Sequence, residues 1–180
     1  MVPEAPFQDT GIGLRANGEG WFVVNARESP WREVDGRGAA MTFEGATDFP
    51  QVGVNLFVLG PGEPMAMYHW EADQEDYLVL SGEAMLIVEG QERQLRQWDF
   101  VHCPPQAAHV IVGAGEGCAV LAIGAREHQE GEGWGGYPVN EVALKHGAGV
   151  DEETTDADKA YARFPEGTVT AYRDGWLPGN

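Results

Sequence analysis

His69, Glu75 and His109 are of the side-chain types that bind a divalent metal, and Glu71 stands close enough in the chain to be a fourth ligand. They fall in two stretches: PGEPMAMYHWEADQEDYLVLSGE (residues 61–83) and WDFVHCPPQAAH (residues 98–109). In an extended strand His69 and Glu71 point to the same side, as do Met65 and Met67 before them, so an apolar floor leads to a polar rim. After a turn through Ala72 and Asp73, Glu75, Tyr77 and Val79 share one face of the returning strand, which lets Glu75 meet His69 across a hairpin. The second stretch ends a strand with two prolines and puts His109 at the start of the next. Two imidazoles and a carboxylate suit first-row divalent ions and leave positions open for substrate or oxygen. Glu71 and Tyr77 are the candidate proton carriers beside such an ion.

Each residue also has a plainer reading. A single His in a strand is more often a hydrogen-bonded structural group, Glu71 can be a rim carboxylate facing solvent, and Tyr77 can simply pack in the core. Met65, Met67, Val79, Val101 and Cys103 are expected to line the pocket, although ordinary core filling produces the same pattern. His102 and Cys103 alternate, so one of them faces inward. Cys103 continues the parity of Val101 and is assigned to the inner wall, where a buried thiol is inert.

Such side chains converge only if the chain doubles back repeatedly, and from Trp21 to Gly124 it breaks into short runs rich in β-branched and aromatic residues, bounded by Gly, Pro or Asp. The predicted strands cover residues 21–26, 39–44, 52–59, 64–71, 76–81, 84–89, 98–103, 109–113 and 118–123. Ser81-Gly82-Glu83 and Glu89-Gly90-Gln91 each offer a Gly where a hairpin needs positive φ. So many short strands imply an all-β sandwich or barrel, preceded by an N-terminal strand extension. After Arg126 the pattern stops, and HQEGEGWGGYP reads as loop. Two short helices follow: one capped by Asn140 and closed by Gly147, the other opened by Thr155 and Asp158 as a capping box and ended by Pro165. In the second, Ala157, Ala160, Tyr161 and Phe164 form one face that docks on the barrel or on a partner subunit.

The chain has 180 residues, which suits one domain over residues 1–180 with its barrel core at about 39–125. Eleven basic against 29 acidic residues leave a formal charge of -18, a field that repels phosphate backbones and anionic lipid headgroups, and the arginines form no local basic patch. Nucleic acid and membrane are therefore excluded as partners. The first residues, MVPEAPFQDTGIG, do not read as a signal peptide, no apolar run reaches the roughly 20 residues needed to cross a bilayer, and two cysteines are too few for a disulfide scaffold. The expectation is a cytoplasmic protein with reduced thiols.

At these residues the chain resembles the cupin superfamily, whose first motif reads Gly-x(5)-His-x-His-x(3,4)-Glu-x(6)-Gly and whose second reads Gly-x(5)-Pro-x-Gly-x(2)-His-x(3)-Asn. Glu75 and Gly82 match the end of the first motif in spacing, His69 takes its first histidine slot, and Glu71 stands where the second histidine is usual. In the second motif Pro104 and His109 match, while Trp98, Gln106 and Gly113 replace Gly, Gly and Asn. The resemblance spans residues 52–124. It implies a double-stranded β-helix, or jelly-roll barrel, in which His69, Glu71, Glu75 and His109 bind one divalent transition metal such as Mn, Fe, Ni or Zn.

Glu71 in place of a histidine lowers the charge of such a site from about +1 to about zero, which favours a neutral or phenolic small molecule over a dicarboxylate. The leading expectation is an oxygenase, isomerase, cyclase or decarboxylase. The rivals are a small-ligand binding or sensing barrel with a structural or absent metal, and a barrel acting through its surface. The apolar run GWFVVNA reads as an edge strand that needs cover, so a homodimer is expected.

Overall fold

The structure is a computed structural model that describes residues 1–129 and 133–179, so the loop expectation at residues 130–132 lies outside the described residues. The strands are β1 (Phe7–Asp9), β2 (Leu14–Ala16), β3 (Trp31–Val34), β4 (Gly38–Thr42), β5 (Val52–Leu59), β6 (Trp70–Glu71), β7 (Glu75–Val88), β8 (Gln91–Arg96), β9 (Phe100–Cys103), β10 (His109–Ala125), β11 (Gly135–Gly136) and β12 (Thr168–Thr170). Two short helices, α1 (Glu141–Lys145) and α2 (Ala157–Tyr161), precede β12. No described helix is long and apolar enough to cross a membrane.

The spine is the antiparallel pair β7 and β10, which run beside each other from His109↔Val88 to Gly124↔Glu75. One half of β7 pairs with β8 and the other half with β9, while the second half of β10 pairs with β5. The main sheet has the order β12-β3-β4-β5-β10-β7-β8, all antiparallel, and the two long strands carry it from one wall of the jelly-roll barrel to the other. Each long strand was expected as two short ones. The break was placed at Gly82, but that residue bends a continuous strand instead of closing a hairpin. Its φ is +74°, and a Cβ there would lie 2.0 Å from the Gly117 carbonyl oxygen, so the crossing at the bulge in β10 demands a residue without a side chain.

Alternation along the spine sends Tyr77, Val79, Val101, Cys103, Ile111 and Val120 into the main core. On the outer face Trp31, Met41 and Leu56 are covered by Tyr172, Trp176 and Leu177 from the tail. Ala160, Tyr161 and Phe164 pack against Met67 and Val150, so α2 docks on its own barrel. Asn140 Oδ1 accepts from the Val142 and Ala143 amides and caps α1 as expected, but α2 is capped by Asp156, not Thr155, because the Asp156 carboxylate is the group that reaches the Asp158 and Lys159 amides.

Residues 21–26 form no strand: Trp21 makes a single bridge to Glu4, and a 3-10 turn at Ala26–Glu28 follows. The N-terminal extension is instead the β1–β2 hairpin. β3, β8 and β12 went unseen because WREV and QERQLR carry too much charge, and TVT is too short, to register as apolar alternation. The Glu89-Gly90 turn between β7 and β8 has positive φ at both positions, as expected.

Trp98 and Gln106, which replace two glycines of the resembling motif, keep a left-handed backbone, at φ 74° and 69°. That conformation costs a side chain about 1–2 kcal/mol, partly offset by the entropy glycine loses on folding. Two outcomes follow for chemical denaturation. Gly82→Ala lowers stability by about 2–4 kcal/mol because the spine must part. Trp98→Gly, at a side chain 67% exposed, raises it by up to about 1 kcal/mol.

Candidate metal centre

The centre is built on a backbone bridge. Residues 64–71 run along the first half of β10, and at the closest point the His69 amide donates to the His109 carbonyl (3.1 Å) while the His109 amide donates to the His69 carbonyl (2.8 Å). Such a directly opposed pair projects its side chains to one face, so the two imidazoles stand with centroids 5.0 Å apart. The backbone partner of His69 is thus His109, while Glu75, expected to meet His69 across a hairpin, reaches it through its side chain. Glu75 arrives from the start of β7, held between Cys103 of β9 and Gly124 of β10.

Both histidines are oriented in the same way. His69 Nδ1 lies 2.8 Å from the Met67 carbonyl oxygen and His109 Nδ1 lies 2.9 Å from that of Ala107. A carbonyl only accepts, so each Nδ1 carries a proton and each Nε2 is the atom left to face the centre. Between those two nitrogens sits Glu75 Oε2, 3.4 Å from His69 and 3.2 Å from His109. It is buried and makes no hydrogen bond. Ligands about 2.1 Å from one ion at angles between 90° and tetrahedral stand about 3.0–3.4 Å apart, which is the spacing found here. An orphaned carboxylate oxygen and two preset imidazole nitrogens fit a divalent metal, because the ion gives that oxygen the partner it lacks.

Glu71 Oε1 approaches His69 Nε2 to 3.6 Å but stands outside the tight group of His69, Glu75 and His109. Its backbone is fixed by β6 pairing with β11 and by the Gln106 amide, which donates to the Glu71 carbonyl. The Tyr77 hydroxyl lies 2.7 Å from His109 Nε2. Burial, then the charge of Glu75, pushes the Tyr77 pKa well up, so it does not give up its proton.

Burial disfavours charge at His69, but Glu71 and Glu75 outweigh it and raise its pKa to about 10. Burial likewise opposes charge at His109, and Cys103 and Glu75 raise it to about 9. At Glu75 burial pushes upward, yet the close imidazoles of His109 and His69 hold the carboxyl well below its usual range. The metal-free centre is therefore a carboxylate between two imidazolium groups.

These residues open on a cavity of about 310 Å³ that is lined by Met65, His69, Glu71, Glu75 and Tyr77. Of the other residues expected around the pocket, Val79, Val101 and Cys103 belong to the core beneath it, and Met67 faces the tail. His102 turns outward onto Asp76, so Cys103 is the inward member of that pair. The cavity also takes Tyr161, which the sequence placed only on a docking helix face, and Arg37, Arg126, Trp134 and Tyr137, which it did not single out because no periodic pattern marks them. Tyr137 covers His69 with ring centroids 6.0 Å apart. A larger cavity of about 800 Å³ is lined by Glu33, Asp35, Glu63, Glu116 and Glu166. None of these carboxylates is buried and no imidazole joins them, whereas the His69, Glu75 and His109 group adjoins the smaller cavity.

The sequence pattern of the cupin domain matches residues 55–124. Among solved structures, the chain is similar to a putative sugar phosphate isomerase from Acidithiobacillus ferrooxidans, at 34% identity over 42% of this chain and 51% of that one, TM-score 0.41. It is also similar to a cupin-superfamily sugar phosphate isomerase from Silicibacter pomeroyi, at 26% identity over 51% of this chain and 60% of that one, TM-score 0.47. The chain thus spans about half to three fifths of the length of these structures. No curated protein matches.

Because the free imidazoles hold protons up to pH about 9–10, an entering ion must displace them. Calorimetric zinc titrations at pH 7.5 in buffers of different ionisation enthalpy are expected to show one to two protons released per ion, and affinity rising with pH until about 9–10. The ion-pair stabilisation of the metal-free protein has the sign set by the same shifts. The imidazolium part is lost as pH rises through about 9–10, and the Glu75 part as pH falls below the usual carboxylate range. Zinc binding without proton release would contradict this account of the centre.

Proposed function

Residues 55–124 of this chain belong to the cupin superfamily, and we propose from that premise that the barrel holds one divalent transition metal on His69, Glu75 and His109 and transforms a small molecule in the adjoining cavity. The observation that carries the reading is Glu75 Oε2, buried and without a hydrogen bond between two imidazoles whose Nδ1 atoms are already committed.

The metal supplies a Lewis acid for a phenolic, enolic or carbonyl oxygen of the ligand. His69 and Glu75 line the cavity, so an ion held by them and His109 would be within reach of a molecule bound there. Glu71, at the edge of the ligand group and on the cavity wall, is placed to carry a proton to or from a bound molecule. Tyr77 remains a phenol on the cavity wall, placed to hydrogen-bond a bound molecule. Tyr137 and Tyr161, brought in by the tail, cover the cavity and limit water. The reaction types open to such a centre are those of an isomerase, cyclase, decarboxylase or oxygenase.

The argument for a homodimer rested on an edge strand at residues 21–26. That strand is not formed, and the argument does not stand.

Elemental analysis of protein purified without chelators tests the reading. The wild type is expected to carry about one transition metal per chain, and His69→Ala and His109→Ala each to lose affinity by about 10–100-fold or more. A folded wild type that takes up no metal, or variants that keep it, would remove the metal from the proposal.

A further inference from the structure

Arg37 lies in the turn between β3 and β4, and its side chain lines the same cavity as His69, Glu71 and Glu75. One Nη donates to the Met65 carbonyl at 2.7 Å, and Nε is buried with no partner. The guanidinium lies over the rings of Tyr161, at 4.4 Å, and Phe164, at 5.5 Å. Those rings hold it in place and attract its charge, but they offer no acceptor in the plane of its N–H groups.

Arg37 has no carboxylate partner among the described residues, in a chain with 29 acidic residues. The contrast with its neighbours is sharp. Arg126, on the same cavity, is neutralised by Glu44, and Arg173 is paired with Glu33. Burial accordingly draws the Arg37 pKa below its ordinary value, which is the signature of a cation kept from water without a counter-charge. The expectation of a neutral or phenolic ligand counted only the metal and its ligands. Adding Arg37, with Asp73 balanced by His128, gives the loaded cavity about one net positive charge.

We propose that Arg37 is the specificity-determining residue of this cavity, and that it pairs with the carboxylate of a small organic monoanion whose other end reaches the centre at His69, Glu75 and His109. The inference rests on the reading of that cavity as the ligand site. A single negative charge is favoured over two because Glu71 lines the same space and repels a second. That sets phosphate esters and dicarboxylates aside. A cavity of about 310 Å³ admits a ligand at the small end of the range for such sites. A guanidinium fork and a carboxylate match in geometry as well as charge.

Benzoate, its neutral counterpart benzamide, and the dianion phthalate serve as probes, titrated calorimetrically into zinc-loaded and metal-free protein. Wild type is expected to bind benzoate about tenfold or more tighter than benzamide, and phthalate no tighter than benzoate. Arg37→Gln is expected to erase the preference while leaving zinc uptake intact, a change that a purely structural role under Tyr161 does not produce. Equal affinities for benzoate and benzamide in wild type, no binding of benzoate, a stronger hold on phthalate, or a preference that survives in Arg37→Gln would each overturn the proposal. Should Arg37→Gln fail to fold, Arg37→Lys decides: a reduced preference supports the role of the fork, and an unchanged one refutes it. The two readings fail separately. Intact zinc binding without a benzoate preference sinks Arg37 alone. A preference present in metal-free protein and lost in Arg37→Gln, with no zinc uptake, sinks the metal alone.

Discussion

The antiparallel bridge between His69 and His109 is the constraint on which the centre depends. Two backbone hydrogen bonds set the pair in register, and from there the direction of each imidazole is decided by a short link from Nδ1 to a carbonyl two residues earlier in the chain. Nothing about the rings is left to rotamer chance. A shift of one residue in this register would turn one imidazole to the opposite face and part it from the other. The long strands β7 and β10 exist, in functional terms, to prevent that shift. Their pairing from Val88 to Glu75 ties the His109 end of the barrel to the Glu75 end, and the bend at Gly82 brings the two ends onto one interior.

Charge organisation follows from the same geometry. The surface is strongly acidic, yet the cavity is lined by His69 and the guanidinium of Arg37 as well as by carboxylates. In a partly enclosed space such groups act on one another and on a ligand more strongly than they would at the surface. The acidic exterior bears on solubility and on which macromolecules are repelled, and the interior bears on which small molecules are held. The helical tail joins these two roles, because Tyr161 of α2 both covers the cavity and supports Arg37 from below.

Much of the barrel could be read in the chain. The apolar runs around β5, β7 and β10 are long and β-branched, and the Glu89-Gly90 turn announced its hairpin. What misled was punctuation: Gly82 and the Gly115–Gly117 region carry the same turn chemistry as a loop, but sheet pairing on both sides keeps the strand running through them. At the centre, the spacing of His69, Glu75 and His109 was enough to pick them out, while the place of Glu71 outside the tight group was not legible, because side-chain reach across a barrel has no period in sequence. Met67 shows the limit of strand parity. It was grouped with Met65, but residues 64–69 are irregular, and it turns to the tail cluster with Val150 and Ala160.

Residue types and their spacing determined, without coordinates, that this is an all-β chain with two imidazoles and a carboxylate able to share an ion, since alternation in strands and the donor atoms of His and Glu are local properties. Tertiary structure decided which nitrogen each histidine presents, that Glu75 Oε2 lies buried between them without a hydrogen bond, and that Arg37 stands beside them without a counter-charge. These are facts about what is missing around an atom. A sequence lists what each residue carries, but only the packed chain shows which of those groups have been left unpaired.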